Sequence, residues 1–210
     1  MNYMKRNSKV GKRIEGIWLS TCLLLLFLTG CGETALQNGT NLELERDGSV
    51  QVTYIEEFPT DYYDLNELIQ MNQEEVDAYN AKNGKNAVEV ISTQADGNKV
   101  TLSMQYKNVS DYGNMNGGFM YHGTVAQGQS AGYHFEYTFV DAKTGETVSA
   151  IDWDNLQNHH LIVAKGPTED YSATIFTYKK IVYATENVTV SEDGKSAVIT
   201  GNKQSIIVFK

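Results

Sequence analysis

The chain has 210 residues, with 17 Lys and Arg against 26 Asp and Glu, a net charge of −9 at pH 7 and only two cysteines. An acidic chain repels the phosphate backbone, which sets nucleic acid aside as a partner. Two cysteines are too few for a disulfide-stapled scaffold, so packing must stabilise the fold, and the length gives room for one domain with a sizeable core.

Five basic residues, Lys5, Arg6, Lys9, Lys12 and Arg13, precede the apolar run Ile17 to Leu28, which leads into Thr29-Gly30-Cys31. A charged region, a short apolar region and a small-residue cleavage site are the parts of an export signal. The apolar run is well short of the roughly 20 residues that span a bilayer. This arrangement resembles a bacterial lipoprotein precursor, with Leu28-Thr29-Gly30-Cys31 matching the lipobox. The resemblance covers the first 31 residues. It implies a diacylglyceryl group on the Cys31 sulfur, with acyl chains such as palmitate, cleavage ahead of that residue, and a lipid anchor at the extracytoplasmic face of the cell membrane. Residues 1–30 are then the signal peptide, 31–41 a short tether, and 42–210 a single extracytoplasmic domain. Cys22 leaves with the signal, and lipidation of Cys31 leaves no thiol for a disulfide, a nucleophile or a thiolate metal site. Cleavage also removes five basic residues but only Glu15 among the acids, leaving 12 basic against 25 acidic residues and a mature net charge of −13.

Past the tether, Leu42 and Leu44, then Asp47-Gly48, then Val50, Val52 and Tyr54 predict a β-hairpin. Thr60 or Asp61 is a candidate cap for a long helix, with Leu65, Leu68, Ile69, Val76 and Tyr79 at helical spacing and Asn83-Gly84 ending it. A second hairpin turns at Asp96-Gly97, from Val88 and Val90 to Val100, Leu102, Met104 and Tyr106. Ser110 is a candidate cap for a short helix from Asp111 to Asn116, which Gly113 weakens and Gly117-Gly118 stops. Phe119 to Val125 predicts a strand. From the strand after Asp47-Gly48 onward, this order is the split βαβ order of ferredoxin-like domains.

The second half is strand-rich: His134 to Val140, Glu146 to Ala150, Leu161 to Ala164, Ala173 to Tyr178, Ile181 to Val190, Ser196 to Thr200 and Ser205 to Phe209. Successive strands without helices between them predict antiparallel pairing. The expected fold class is therefore α+β, an antiparallel sheet with one long and one or two short helices.

Gly128-Gln129-Ser130-Ala131-Gly132 has the G-x-S-x-G form of a hydrolase nucleophile elbow, with His159 and His160 downstream. That elbow needs its serine on a strained turn from a strand into a helix. Here the string fits a short helical turn, capped by Thr124 and closed by Gly132, better. Ser130 is thus a weak catalytic candidate. The histidines His122, His134, His159 and His160 match no metal-ligand spacing, and no phosphate-cradling glycine loop occurs, so neither a metal nor a cofactor is expected. Thirteen tyrosines are present, and Tyr62, Tyr63 and Tyr112, near helix starts, are candidates for a platform that binds a glycan, peptide or protein. Stretches such as Asp61-Tyr62-Tyr63-Asp64-Leu65, Tyr121-His122-Gly123-Thr124-Val125 and Ile181-Val182-Tyr183 look like those of uncharacterised small lipoproteins from Gram-positive bacteria. The leading expectation is a lipid-anchored, non-enzymatic domain that binds a ligand or partner at the cell surface. The alternatives are an esterase-like serine hydrolase using Ser130 and an accessory subunit of a membrane complex.

Overall fold

The computed structural model describes residues 36–58 and 64–210, and Leu36 to Lys210 fall in one unit. Cys31, Tyr62, Tyr63 and the candidate caps Thr60 and Asp61 lie outside the described residues. The first hairpin forms where Asp47-Gly48 predicts it. Strand β1 (Gly39–Leu44) pairs antiparallel with β2 (Val50–Glu57), so residues 39–41 belong to the sheet and not to the tether. Asp47 Oδ1 accepts from the Ser49 amide at 3.0 Å and from its hydroxyl at 2.7 Å. Gly48 takes φ +89°, which a side chain would strain.

Helix α1 (Leu65–Asn83) is capped by Asp64, whose carboxylate accepts from the Asn66 amide at 2.8 Å. At its other end Gly84 donates to the Asn80 carbonyl, and the Asn80 side chain brackets Val88, accepting from its amide at 3.0 Å and donating to its carbonyl at 2.8 Å. That pins the helix end to the start of β3 (Val88–Asp96), which pairs with β4 (Lys99–Tyr106). The ladder slips between Val90 and Ser92, and the extra residue, Ile91, is 53% exposed. A bulge that throws one apolar side chain outward is a common feature of edge strands, and β3 is an edge.

Helix α2 (Val109–Met115) starts at Asn108, two residues before the predicted cap, because Asn108 Oδ1 accepts from the Asp111 amide at 2.9 Å. Its Gly113 does more than weaken the helix. A Cβ there would lie 2.7 Å from the Met120 amide nitrogen, so glycine lets α2 lie directly on β5 (Phe119–Thr124). The remaining elements are α3 (Val125–Ser130), β6 (Phe139–Asp141), β7 (Thr147–Val148), a 3-10 turn at Trp153–Leu156, β8 (His160–Lys165), β9 (Ser172–Phe176), β10 (Ile181–Thr185), β11 (Val188–Val190), β12 (Ser196–Thr200) and β13 (Ser205–Phe209).

Two sheets result, one ordered β11-β12-β9-β1-β2-β4-β3 and the other β5-β8-β13-β10-β6-β7. The fold is α+β. Strand β4 lies between β2 and β3 and antiparallel to both, so the split βαβ unit forms around α1. The complete ferredoxin-like order does not. Its fourth strand, β5, pairs with β8 in the other sheet, and β1 takes the place beside β2. Strand β1 also pairs parallel with β9, against the antiparallel expectation.

One core cluster joins inward residues of both sheets, among them Leu42, Val52, Tyr106, Ile175 and Ile199 from the first and Ile162, Ile207 and Phe209 from the second. The opposite face of the second sheet carries a smaller cluster of Val125, Phe139, Leu161, Val163, Ile206 and Val208. Burial on both faces explains why β8 and β13 read as unbroken apolar runs. It also corrects the predicted strand His134 to Val140. Only Phe139–Asp141 pairs, while Tyr133 and Phe135 cover the smaller cluster, with the Phe135 ring 4.5 Å from that of Trp153. The predicted strand Ile181 to Val190 breaks at Glu186-Asn187, where the chain passes from the second sheet into the first.

Candidate functional site

Two alternating strand patterns and one helical stripe converge on a cavity beside the first sheet. Tyr54 and Glu56 share one face of β2, with Phe58 following; Val100, Leu102, Met104 and Tyr106 share one face of β4. Leu68, Asn72 and Glu75, at i, i+4 and i+7, share one face of α1. With Met115 and Asn116 at the end of α2, these residues line a cavity of about 270 Å³. The sequence carries a signal for it. Asn72 and Glu75 interrupt the stripe Leu65, Leu68, Val76, Tyr79, placing polar groups where a helix packed flat on a sheet would carry apolar ones. Of that stripe only Val76 is buried. Ile69, expected on the core-facing side, is exposed.

One wall of the cavity is a hydrogen-bonded phenol and amide group. The Tyr54 hydroxyl donates to Asn116 Oδ1 at 3.1 Å and lies 3.4 Å from the Tyr106 hydroxyl, to which Asn116 Nδ2 donates at 3.4 Å. Asn116 is itself fixed, since its Nδ2 also donates to the Tyr112 carbonyl at 2.9 Å. Burial raises the pKa of both phenols, and that of Tyr54 is pushed well above the usual tyrosine range, additionally through Tyr106. Both stay neutral near pH 7 and act as hydrogen-bonding groups. Across the cavity, the buried Asn72 Nδ2 has no hydrogen-bond partner. The rest of the described lining is largely apolar and includes no Lys, Arg or His.

Of the three tyrosines expected to form a platform, Tyr62 and Tyr63 lie outside the described residues, and Tyr112 is buried. Tyr112 is 5% exposed; it meets the Tyr106 ring edge to face at 5.4 Å, and its hydroxyl lies 2.7 Å from that of Tyr171. Val109, Tyr112 and Gly113 form the inward face of a helix of only two turns, which leaves Tyr112 no route outward. Ser130 ends α3, and its hydroxyl donates to the Ala126 carbonyl at 2.9 Å. Thr124 and Gln127 form a capping box at the start of α3, and Gly132 follows with φ +89°, the helical turn that the sequence predicts. Ser130 therefore lies at the C-terminal end of a helix and does not lead into one, unlike the serine of a nucleophile elbow. Among the described residues, no three His, Cys, Asp or Glu side chains are grouped to hold a metal ion, and no helix is long and apolar enough to cross a membrane.

A second group of titratable side chains closes one end of the main core. His122 on β5, His160 on β8 and Phe209 on β13 stack, with His122 and His160 ring centroids 5.6 Å apart, and Tyr178 stands edge-on to all three. Tyr178 Oη lies 2.9 Å from His160 Nδ1, whereas the buried His122 Nε2 has no partner. Burial, then the neighbouring His160, lowers the His122 pKa to about 4. The unfolded chain takes up a proton near pH 6.5 that the folded chain refuses, so stability is full above about 6.5 and is lost as pH falls toward 4. Allowing for partial solvent screening, the loss is about 2 kcal/mol. His122→Phe should lessen the acid sensitivity by that amount, read from urea unfolding at pH 7 and pH 4.5. Identical pH dependence in variant and parent would show that the histidine is not responsible.

Comparison with known proteins finds no matching family model, no matching curated protein and no matching solved structure.

Proposed function

We propose that this chain is a lipid-anchored extracytoplasmic lipoprotein whose domain binds a small, partly apolar ligand in the cavity between α1 and the first sheet. The cavity carries this reading: a concave space of about 270 Å³, open to solvent on one side, with a largely apolar lining and a few convergent polar groups has the composition of a small-molecule site. The neutral phenols and the amides of Asn72 and Asn116 suit the site to holding a ligand in one orientation. The anchor rests on the likeness of Leu28-Thr29-Gly30-Cys31 to a lipobox and on the basic and apolar regions before it. An acidic mature surface supports the same reading, since it keeps a tethered domain soluble and clear of anionic lipid.

Two measurements test the two halves. Cys31→Ser should abolish incorporation of labelled palmitate and release the protein from the membrane fraction; a variant that stays labelled and membrane-bound refutes the anchor. For the cavity, 2-phenylethanol at about 100 times its dissociation constant should stabilise the protein by about 2.7 kcal/mol. In a domain of this size that raises the melting temperature by roughly 5 to 11 °C. Leu102→Trp, which fills the cavity from β4, should remove the shift. No response from the parent protein to this or to related aromatic and aliphatic alcohols would reject the cavity as a binding site.

A further inference from the structure

Resting on that reading of the cavity, the lining points to a more specific ligand: we infer that the site takes a small cationic amphiphile, an ammonium group on a short aromatic or branched alkyl body. Size sets the body. An engineered cavity of about 150 Å³ takes benzene, and the present one measures about 270 Å³, room for one ring and a short chain. Phe58, Leu68, Val100, Leu102, Met104 and Met115 supply the apolar contacts, and the two methionine sulfurs favour an aromatic ring.

Charge sets the head group. Among the described residues of the lining, the ionisable side chains besides the neutral phenols are the carboxylates of Glu56 on β2 and Glu75 on α1, which come from opposite walls. Among the described lining residues, no cationic side chain neutralises them. Tyr54, Tyr106 and Phe58 belong to the lining, and aromatic rings attract a cation over their faces and not an anion. A carboxylate or phosphate ligand would bring its charge beside two like charges with no basic residue of the described lining to pair it, an unfavourable arrangement. The unpartnered Asn72 Nδ2 adds one further demand, an acceptor such as a hydroxyl or carbonyl oxygen carried near the ammonium.

Three probes of one shape and different charge test this on the full-length protein, purified in a mild non-ionic detergent: phenethylamine, 2-phenylethanol and phenylacetate. Titration calorimetry should show phenethylamine binding at least tenfold tighter than 2-phenylethanol, with no detectable phenylacetate binding. Raising the salt concentration should narrow the gap, because the carboxylates are solvent-facing. The double variant Glu56→Gln, Glu75→Gln changes two exposed residues and should bring phenethylamine down to the affinity of the alcohol. If 2-phenylethanol binds as tightly as the amine, or the double variant retains the preference, the cationic class is wrong while the cavity still binds. If none of the three binds, the cavity reading falls with it.

Discussion

Removing Ser205 to Lys210 is expected to leave a chain that does not fold. The deleted segment contains all of β13, whose five residues are buried and which pairs with β8 on one side and β10 on the other in the middle of the second sheet. Its side chains serve both clusters. Ile207 and Phe209 enter the main core, while Ile206 and Val208 enter the smaller one. Burying a large apolar side chain contributes about 1.5–3 kcal/mol, so these four together contribute on the order of 6–12 kcal/mol. That approaches the whole stability of a typical domain, about 5–15 kcal/mol. Losing the strand also strands the backbone groups of β8 and β10, which an isolated sheet edge inside a core cannot satisfy. Near-ultraviolet circular dichroism and a thermal melt distinguish the outcomes: the truncated protein should lack a cooperative transition, and one that melts like the parent would contradict the assigned role of β13.

Gly166→Ala is expected to be the most damaging change of a single methyl group, about 3 kcal/mol at the upper end of ordinary overpacking costs. Gly166 follows β8, where the chain leaves the second sheet for the first. A Cβ there would fall 2.3 Å from Tyr171 Cδ1 and 2.5 Å from the Gly201 carbonyl oxygen. The tyrosine ring cannot simply swing away, because its hydroxyl meets that of Tyr112 at 2.7 Å and its carbonyl accepts from the Gly201 amide at 2.7 Å. The second obstacle is backbone, so relief requires moving the loop that joins the two sheets. In a domain of this length the melting temperature should fall by roughly 6 to 12 °C. Gly145→Ala is a useful contrast: its cost comes from φ +72°, with open space around the added carbon, and should be smaller. Equal effects at the two positions would show that the crowding at Gly166 relaxes at little cost.

Much of the local structure was legible because its causes are local. Asp47-Gly48 and Asp96-Gly97 specify tight turns through side-chain hydrogen bonding and glycine's access to positive φ, and both hairpins form there. Asn83-Gly84 ends α1 for the same kind of reason, and Thr124 with Gln127 caps α3. Misreadings arose where a distant contact decides. Tyr133 and Phe135 have the alternation of a strand, yet they cover the outer face of the second sheet, where no partner strand lies beside them. Tyr112 has the composition of a recognition residue and is core, because the short helix that carries it is pressed onto β5 across Gly113. The cavity was half legible: Asn72 and Glu75 break an apolar stripe, but nothing local says that Asn116, more than 40 residues on, stands opposite them.

The amino-acid sequence by itself determined the turns, the single long helix, the alternating faces of the strands and the resemblance of the first 31 residues to a lipoprotein signal, because each depends on neighbours within a few positions. The tertiary structure alone decided that the strands divide between two sheets, that β1 lies parallel to β9, that β13 is central, and that α1 leaves a cavity over β4. Those outcomes depend on which apolar faces cover one another at long sequence separation, and alternation marks a buried face without naming its partner.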